Sequence, residues 1–71
     1  MKNNPVISII GLGYIGLPTA ALIASKGIYV NGYDINSSIV ENTNKGVIHI
    51  VEPGLEDLIK EVVQKGYLKA D

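Results

Sequence analysis

Three glycines at positions 11, 13 and 16 constrain this chain more than any other feature of its sequence. They form the pattern G-x-G-x-x-G directly after the apolar run Val6-Ile7-Ser8-Ile9-Ile10. The pattern is weak evidence alone, but it becomes specific when it follows a strand and opens a helix. The β-branched residues in the run predict a buried strand over residues 6–10, so the first of these conditions is met.

The segment after the glycines is typical of a helix that packs closely on a sheet. Residues 14–26 are rich in alanine and are followed by Gly27, a common residue at helix C-termini. Pro18 falls near the first turn of this segment, where its missing N–H costs little. A membrane anchor or signal segment is the alternative for the uncharged residues 6–24. The glycines and Pro18 interrupt that run, so we expect no membrane contact.

Each glycine has a separate role in a dinucleotide site. Gly11 permits a tight turn, Gly13 lets the backbone approach a pyrophosphate, and Gly16 lets the helix pack closely on the strand. The start of the helix also presents unpaired N–H groups and the positive end of its dipole to the phosphates. The sequence therefore predicts that the pyrophosphate of a dinucleotide binds at Gly11, Gly13 and Gly16.

An acidic residue stands at the distance from the glycines that such a site requires. Residues 28–33 predict a second strand, and Asp34 follows it, about 20 positions after the glycine turn. Its carboxylate is suited to accept hydrogen bonds from the adenosine ribose and to repel a 2′-phosphate. No Arg or Lys follows it before Lys45. The sequence therefore predicts NAD, rather than NADP, as the cofactor.

The second half of the chain continues the alternation of strands and helices. Asn36 or Ser37 is expected to cap a short helix through Asn44. Residues 47–51 are expected to be extended, and residues 55–64 have the apolar spacing of an amphipathic helix. The start of a third strand follows at residues 67–70. The order β-α-β-α-α-β predicts an α/β fold: a truncated, Rossmann-type unit of the doubly wound parallel sheet.

Composition narrows the classes of function. The 71 residues carry a net charge of −1 without a cluster of Lys or Arg, so nothing indicates a nucleic-acid partner. The absence of cysteine excludes disulfides and a cysteine nucleophile within these residues. A single histidine and scattered carboxylates offer little from which to build a metal site. We interpret His49 and Glu52 as structural or solvent-facing residues, with Glu52 placing charge near the start of a helix.

Three stretches of the chain resemble the N-terminus of the nucleotide-sugar 6-dehydrogenases. They are Gly11-Leu12-Gly13-Tyr14-Ile15-Gly16-Leu17-Pro18, Gly32-Tyr33-Asp34-Ile35-Asn36 and Ile48-His49-Ile50-Val51-Glu52-Pro53-Gly54-Leu55. The third stretch most resembles the members that oxidise UDP-N-acetyl-D-mannosamine. Members that oxidise UDP-glucose tend to have a tyrosine where this chain has Val51.

The resemblance implies a function for the parent protein. The family oxidises the C6 alcohol of a UDP-sugar to a carboxylate in two NAD-dependent steps, through a thiohemiacetal on a cysteine. It also implies that Tyr14, Ile15 and Asp34 contact NAD. The cysteine, its assisting lysine and asparagine, and the sugar-binding domain lie downstream in the family. Residues 1–71 are therefore expected to be the N-terminal part of an NAD-binding domain, cytoplasmic, engaged in polysaccharide biosynthesis, and inactive alone.

Two alternatives for the function remain open from the sequence. A UDP-glucose or UDP-N-acetylglucosamine 6-dehydrogenase would carry the same turn, and a non-catalytic NAD-binding module would keep the glycines and Asp34.

In a complete domain of this type the first strand is central. A sheet of two or three strands leaves one side of residues 6–10 unpaired. We therefore expect a homo-oligomer.

Overall fold

The computed structural model describes residues 6–71. Its elements, in chain order, are β1 (Val6–Ile10), α1 (Gly16–Ser25), β2 (Tyr29–Tyr33), α2 (Ser37–Asn44), α3 (Leu55–Gln64) and β3 (Leu68–Ala70). The predicted order of elements is confirmed. Residues 6–24 divide into a strand, a turn and a helix rather than forming one continuous helix. None of the helices within residues 6–71 combines the length and apolar character that crossing a bilayer requires.

The three strands form one parallel sheet in the order β1-β2-β3. Val6 pairs with Tyr29 at the start of β1, and Ile10 pairs with Tyr33 at its end. Helix α1 connects β1 to β2, and α2 and α3 connect β2 to β3. Parallel pairing requires such crossover connections. The predicted α/β fold with a parallel sheet is therefore confirmed.

The core lies on the face of the sheet that α1 and α3 cover. Small side chains on α1 let its backbone come close to the sheet. The buried apolar residues are Leu12, Leu17, Ala20, Ala21, Ala24, Val30, Ile50, Leu55, Ile59, Val62, Leu68 and Ala70. On the other face, Val6, Ile10 and their register partners Tyr29 and Tyr33 remain exposed. The sheet is thus covered on one face only within residues 6–71.

Helix α1 begins at Gly16, two residues later than the predicted start at Tyr14. The N–H of Leu17 already donates to the carbonyl of Gly13 at 3.0 Å, as in a helix. Pro18 has no N–H, so the next helical bond, to the carbonyl of Tyr14, cannot form. Regular bonding resumes at Thr19, whose N–H lies 3.1 Å from the carbonyl oxygen of Ile15. Pro18 therefore explains the later start.

Helix α2 begins after a side-chain cap. Asn36, one of the two predicted capping residues, accepts hydrogen bonds on Oδ1 from the N–H groups of Ser38 and Ile39, at 2.9 and 3.3 Å. Residues 47–51, which the sequence predicts to be extended, form no strand. A strand needs a neighbour to bond to, but here the N–H of Val47 donates back to the carbonyl of Asn42 at 2.8 Å. This connection is therefore a loop.

The side chain of Asn44 closes the outer edge of β3. Its Nδ2 donates to the carbonyl of Ala70, and its Oδ1 accepts from the N–H of Ala70, both at 2.8 Å. On its other side β3 pairs with β2, where the N–H of Asp71 donates to the carbonyl of Gly32 at 2.8 Å. Asn44 thus satisfies backbone groups that an edge strand would otherwise leave open.

We expect Asn44→Ala to lower the free energy of unfolding by about 1–3 kcal/mol, because two backbone groups of Ala70 lose their partners. Urea denaturation followed by circular dichroism measures the change. Asn42→Ala is the matched control, since Asn42 is an exposed asparagine on the same helix. Equal stabilities of the two variants would show that the Asn44 contact contributes nothing.

Candidate cofactor site

The glycine turn lies where β1 ends and α1 begins. Gly11 adopts a φ of 91°, in the left-handed region that favours glycine, and its N–H donates to the carbonyl of Tyr33 at 2.7 Å. A Cβ on Gly16 would overlap the carbonyl oxygen of Gly11 and lie 2.9 Å from its carbonyl carbon. The first residue of α1 is therefore in direct contact with the end of β1, as the predicted packing role of Gly16 requires.

Leu12 anchors the middle of this turn. Its side chain is fully buried and fills the space beside Gly32 on β2. A Cβ on Gly32 would lie 2.7 Å from Cδ2 of Leu12, so a side chain there would require the buried side chain of Leu12 to shift. No role for Leu12 or Gly32 was predicted from the sequence. Their only signal was an apolar residue inside the glycine pattern and a glycine inside a strand.

The carboxylate of Asp34 links the turn to the segment after β2. Its Oδ2 accepts a hydrogen bond from the N–H of Leu12 at 2.9 Å, and its Oδ1 accepts one from the N–H of Asn36 at 2.8 Å. These two bonds, the one from Leu12 first, lower the pKa of the Asp34 carboxyl below its ordinary value. Desolvation opposes these bonds by raising the pKa of Asp34, and the electrostatic effect of His49, the smallest of the causes, lowers it. The side chain is therefore held in its charged form.

A cleft of about 360 Å³ lies beside this carboxylate. Its lining residues are Ile10, Gly11, Tyr33, Asp34 and Ile35. They stand at the carboxyl ends of β1 and β2, the edge of a parallel sheet where such folds bind ligands. The structure therefore brings together Gly11 and Asp34, two of the predicted site residues. Ile10, Tyr33 and Ile35 were not predicted as site residues; the sequence signal for them is their position at or directly after the ends of these strands.

The other predicted site residues lie within the turn or at the start of α1 and do not line the cleft. Tyr14 and Ile15 lie between Gly13 and α1 and are 76% and 82% exposed. A Cβ on Gly13 would point into open space, and Gly13 has no positive φ. Neither packing within residues 6–71 nor backbone conformation thus requires glycine at position 13. The space beside Gly13 is free for another molecule to approach.

His49 and Glu52 lie outside this cleft. Both are exposed, and the carbonyl of Glu52 accepts a hydrogen bond from the N–H of Leu55 at 3.1 Å where α3 begins. Glu52 also borders a separate shallow cavity with Pro18 and Leu22. His49 affects the site only through its charge, as a minor cause of the lowered pKa of Asp34.

Residues 5–71 match a family model described as the UDP-glucose/GDP-mannose dehydrogenase family, NAD binding domain. The chain belongs to this family. Its cofactor is therefore NAD. This conclusion agrees with the geometry of the site, which offers a glycine turn, an acidic residue at the end of β2 and a cleft between them.

Individual relatives agree with the family assignment. The chain is 64% identical over 70 residues to UDP-N-acetyl-D-mannosamine dehydrogenase of Campylobacter jejuni, which covers 99% of this chain and 17% of that protein. The structure of UDP-D-ManNAc dehydrogenase from Pyrococcus horikoshii matches 94% of this chain and 16% of that one, with 49% identity and a TM-score of 0.90. UDP-glucose dehydrogenase from Pyrobaculum islandicum matches 97% of this chain and 16% of that one, with 40% identity and the same TM-score. The chain thus spans about one sixth of the length of these relatives.

The glycines at 13 and 16 provide a matched test of the turn. We expect Gly16→Ala to lower the free energy of unfolding by about 1–3 kcal/mol, because its Cβ would force the start of α1 away from Gly11. Gly13→Ala should change it by less than about 0.5 kcal/mol, since the new methyl group meets no other atom. Urea denaturation measures both. A Gly16→Ala variant as stable as Gly13→Ala would contradict the close contact at Gly16.

Proposed function

We propose that residues 1–71 are the N-terminal part of the NAD-binding domain of a nucleotide-sugar 6-dehydrogenase. The parent enzyme would oxidise UDP-N-acetyl-D-mannosamine to UDP-N-acetyl-D-mannosaminuronate with two NAD. The observation that carries the proposal is the placement of Asp34 beside the glycine turn, where it lines a cleft at the carboxyl ends of β1 and β2. The choice of sugar is supported by the relatives from Campylobacter jejuni and Pyrococcus horikoshii.

The residues around the turn fit the phosphate half of the cofactor. We propose that the pyrophosphate lies against Gly11, Gly13 and Gly16, with Tyr14 and Ile15 in contact with the cofactor. Leu17 and Thr19 donate their N–H groups to Gly13 and Ile15, and Pro18 has none. The N–H groups of residues 13–16, which make no backbone hydrogen bond within residues 6–71, are therefore the ones that suit an anion. The open space at Gly13 supports this assignment, since the described residues do not themselves require glycine there. Bound NAD supplies the hydride acceptor for the oxidation.

The adenosine half would lie in the cleft. We propose that Asp34 accepts hydrogen bonds from the ribose hydroxyls with the lone pairs that Leu12 and Asn36 leave free. Apolar side chains at the ends of β1 and β2 would flank the adenine. Because the carboxylate is held charged, it would also repel the 2′-phosphate of NADP.

The reaction of the full-length protein is the direct test of the proposal. We expect it to form two NADH per UDP-N-acetyl-D-mannosamine consumed, measured by absorbance against chromatographic quantification of the uronate. The chain of 71 residues alone should form none. Turnover of only UDP-glucose or UDP-N-acetylglucosamine would contradict the choice of sugar. NAD binding without turnover of any UDP-sugar would indicate a non-catalytic module.

We further propose that the uronate serves polysaccharide biosynthesis and that the enzyme is cytoplasmic.

Cofactor selection has a separate test at Asp34. We expect Asp34→Ser, combined with a basic residue nearby such as Ser37→Arg, to lower the NAD/NADP ratio of kcat/KM by at least about tenfold. The physical reason is that the repulsion on the 2′-phosphate is removed and a cation is supplied. Initial rates with each cofactor measure the ratio, and Ser37→Arg alone is the control. An unchanged ratio in the combined variant would show that Asp34 does not contact the ribose.

The two edges of the sheet differ, and this difference indicates how copies of the isolated chain would associate. Asn44 closes β3, whereas β1 pairs only with β2 within residues 6–71. The N–H and C=O groups of successive residues in a strand point alternately to its two sides. The N–H of Gly11 points towards β2, so the backbone groups of Ser8 and Ile10 point away from β2. Beside this open edge, Val6 and Ile10 expose apolar surface. We propose that copies of the chain associate through β1.

We expect light scattering on a concentration series of the 71-residue chain to give a dimer or a larger species. Ser8→Lys should shift it towards the monomer, because a lysine on an open strand edge opposes pairing. Ser38→Lys, on the exposed start of α2, is the matched control and should not. A compact, cooperatively unfolding monomer at every concentration would contradict association through β1.

A further inference from the structure

We infer that Asp34 is a positioning residue for the phosphate-binding turn, in addition to any contact with the ribose. It would act through the backbone N–H of Leu12, which lies inside the glycine pattern. This inference rests on the proposed NAD site, because it assigns a second action to one residue of that site. The bond joins residues 22 positions apart at 2.9 Å, so it connects the turn to the end of the neighbouring strand.

The turn needs an anchor because of its own composition. Glycines at 11 and 13 flank Leu12, and glycine restricts the backbone less than any other residue. A turn built in this way holds its N–H groups in a fixed direction only if contacts from outside the turn hold it. The pyrophosphate would meet N–H groups directly after Leu12, so their direction affects the strength of its binding.

Three contacts from β2 and its end supply that anchor. The N–H of Gly11 donates to the carbonyl of Tyr33 at 2.7 Å. The side chain of Leu12 fills the space that Gly32 leaves. The third contact is the bond from the N–H of Leu12 to Oδ2 of Asp34. Only this third contact depends on a side-chain oxygen, so it is the one that a substitution can remove selectively.

A carboxylate suits this position better than an amide of the same shape. Oδ2 accepts from Leu12 while Oδ1 accepts from Asn36. An asparagine has one acceptor oxygen, and its NH₂ group would face one of the two N–H donors. Asp34→Asn therefore keeps the volume of the side chain but leaves one of these backbone groups without a partner.

The two actions of Asp34 predict opposite effects on a ligand that lacks the ribose hydroxyls. If Asp34 acts only on the ribose, its substitution leaves the binding of such a ligand unchanged. Loss of a negative charge near the pyrophosphate would even tighten it. If Asp34 also positions the turn, its substitution weakens the binding of that ligand, because the N–H groups facing the phosphates are less well ordered.

The experiment measures the dissociation constants of NAD and of its 2′,3′-dideoxyadenosine analogue by titration calorimetry on the full-length protein. We expect Asp34→Ala, which removes both acceptor oxygens, to weaken the binding of the dideoxy analogue about five- to tenfold, the effect of one hydrogen bond to a charged group. Asp57→Ala is the matched control, because it removes a carboxylate from an exposed position on α3. It should leave both dissociation constants unchanged.

A second measurement needs no ligand. Hydrogen exchange at the amide of Leu12 should be at least about tenfold faster in Asp34→Ala than in the unmodified protein, because its acceptor is lost. Thermal unfolding identifies a temperature at which both proteins are folded, and binding and exchange are compared there. The variant Asp34→Glu keeps a carboxylate and should restore part of the slow exchange.

The outcomes separate this inference from the proposed function. If Asp34→Ala binds the dideoxy analogue as tightly as the unmodified protein does, or if the exchange of Leu12 is unchanged, the positioning role is wrong. The ribose contact could then still stand on the loss of NAD affinity. If the unmodified protein binds neither NAD nor the analogue, the proposed cofactor site is wrong and the inference fails with it.

Discussion

The fold of this chain depends on the contact between the first residue of α1 and the residue directly after β1. Gly16 lies so close to Gly11 that a methyl group would not fit between them. This contact sets how α1 leaves the sheet, and the small residues Ala20, Ala21 and Ala24 then continue the close approach along the helix. It also directs the N-terminus of α1 to the edge of the sheet where the cleft lies. The packing of α1 and the proposed cofactor site therefore share one geometric requirement.

The elements of the fold were predictable because each has a local signal. β-Branched residues preceded a glycine at β1, apolar residues recurred at helical spacing in α3, and Gly27 and Gly66 follow their helices with φ values of 82° and 83°. The start of α1 was predicted too early because no side-chain cap marks its first residue. The missing N–H of Pro18 interrupts bonding there. Residues 47–51 look extended in sequence, but no neighbouring strand is available to them.

The site was predictable where it depends on spacing and not where it depends on contacts between distant residues. Gly11 and Asp34 were identified because the distance between them along the chain is typical of dinucleotide sites. The bond from Leu12 to Asp34 and the bonds from Asn44 to Ala70 span 22 and 26 positions. Such bonds depend on how the strands and helices are placed relative to one another, which one sequence does not contain. The same reason explains why Ile10, Tyr33 and Ile35 were not recognised as lining residues.

The space that Gly32 leaves for Leu12 has a consequence for how this family varies. The two positions share one volume: a side chain at 32 would require the buried leucine at 12 to shift or to be replaced by a smaller residue. Substitutions at these positions should therefore be correlated across homologous sequences, although 20 residues separate them and neither one is charged. Homologues with a side chain at 32 and an unchanged leucine at 12 should be rare.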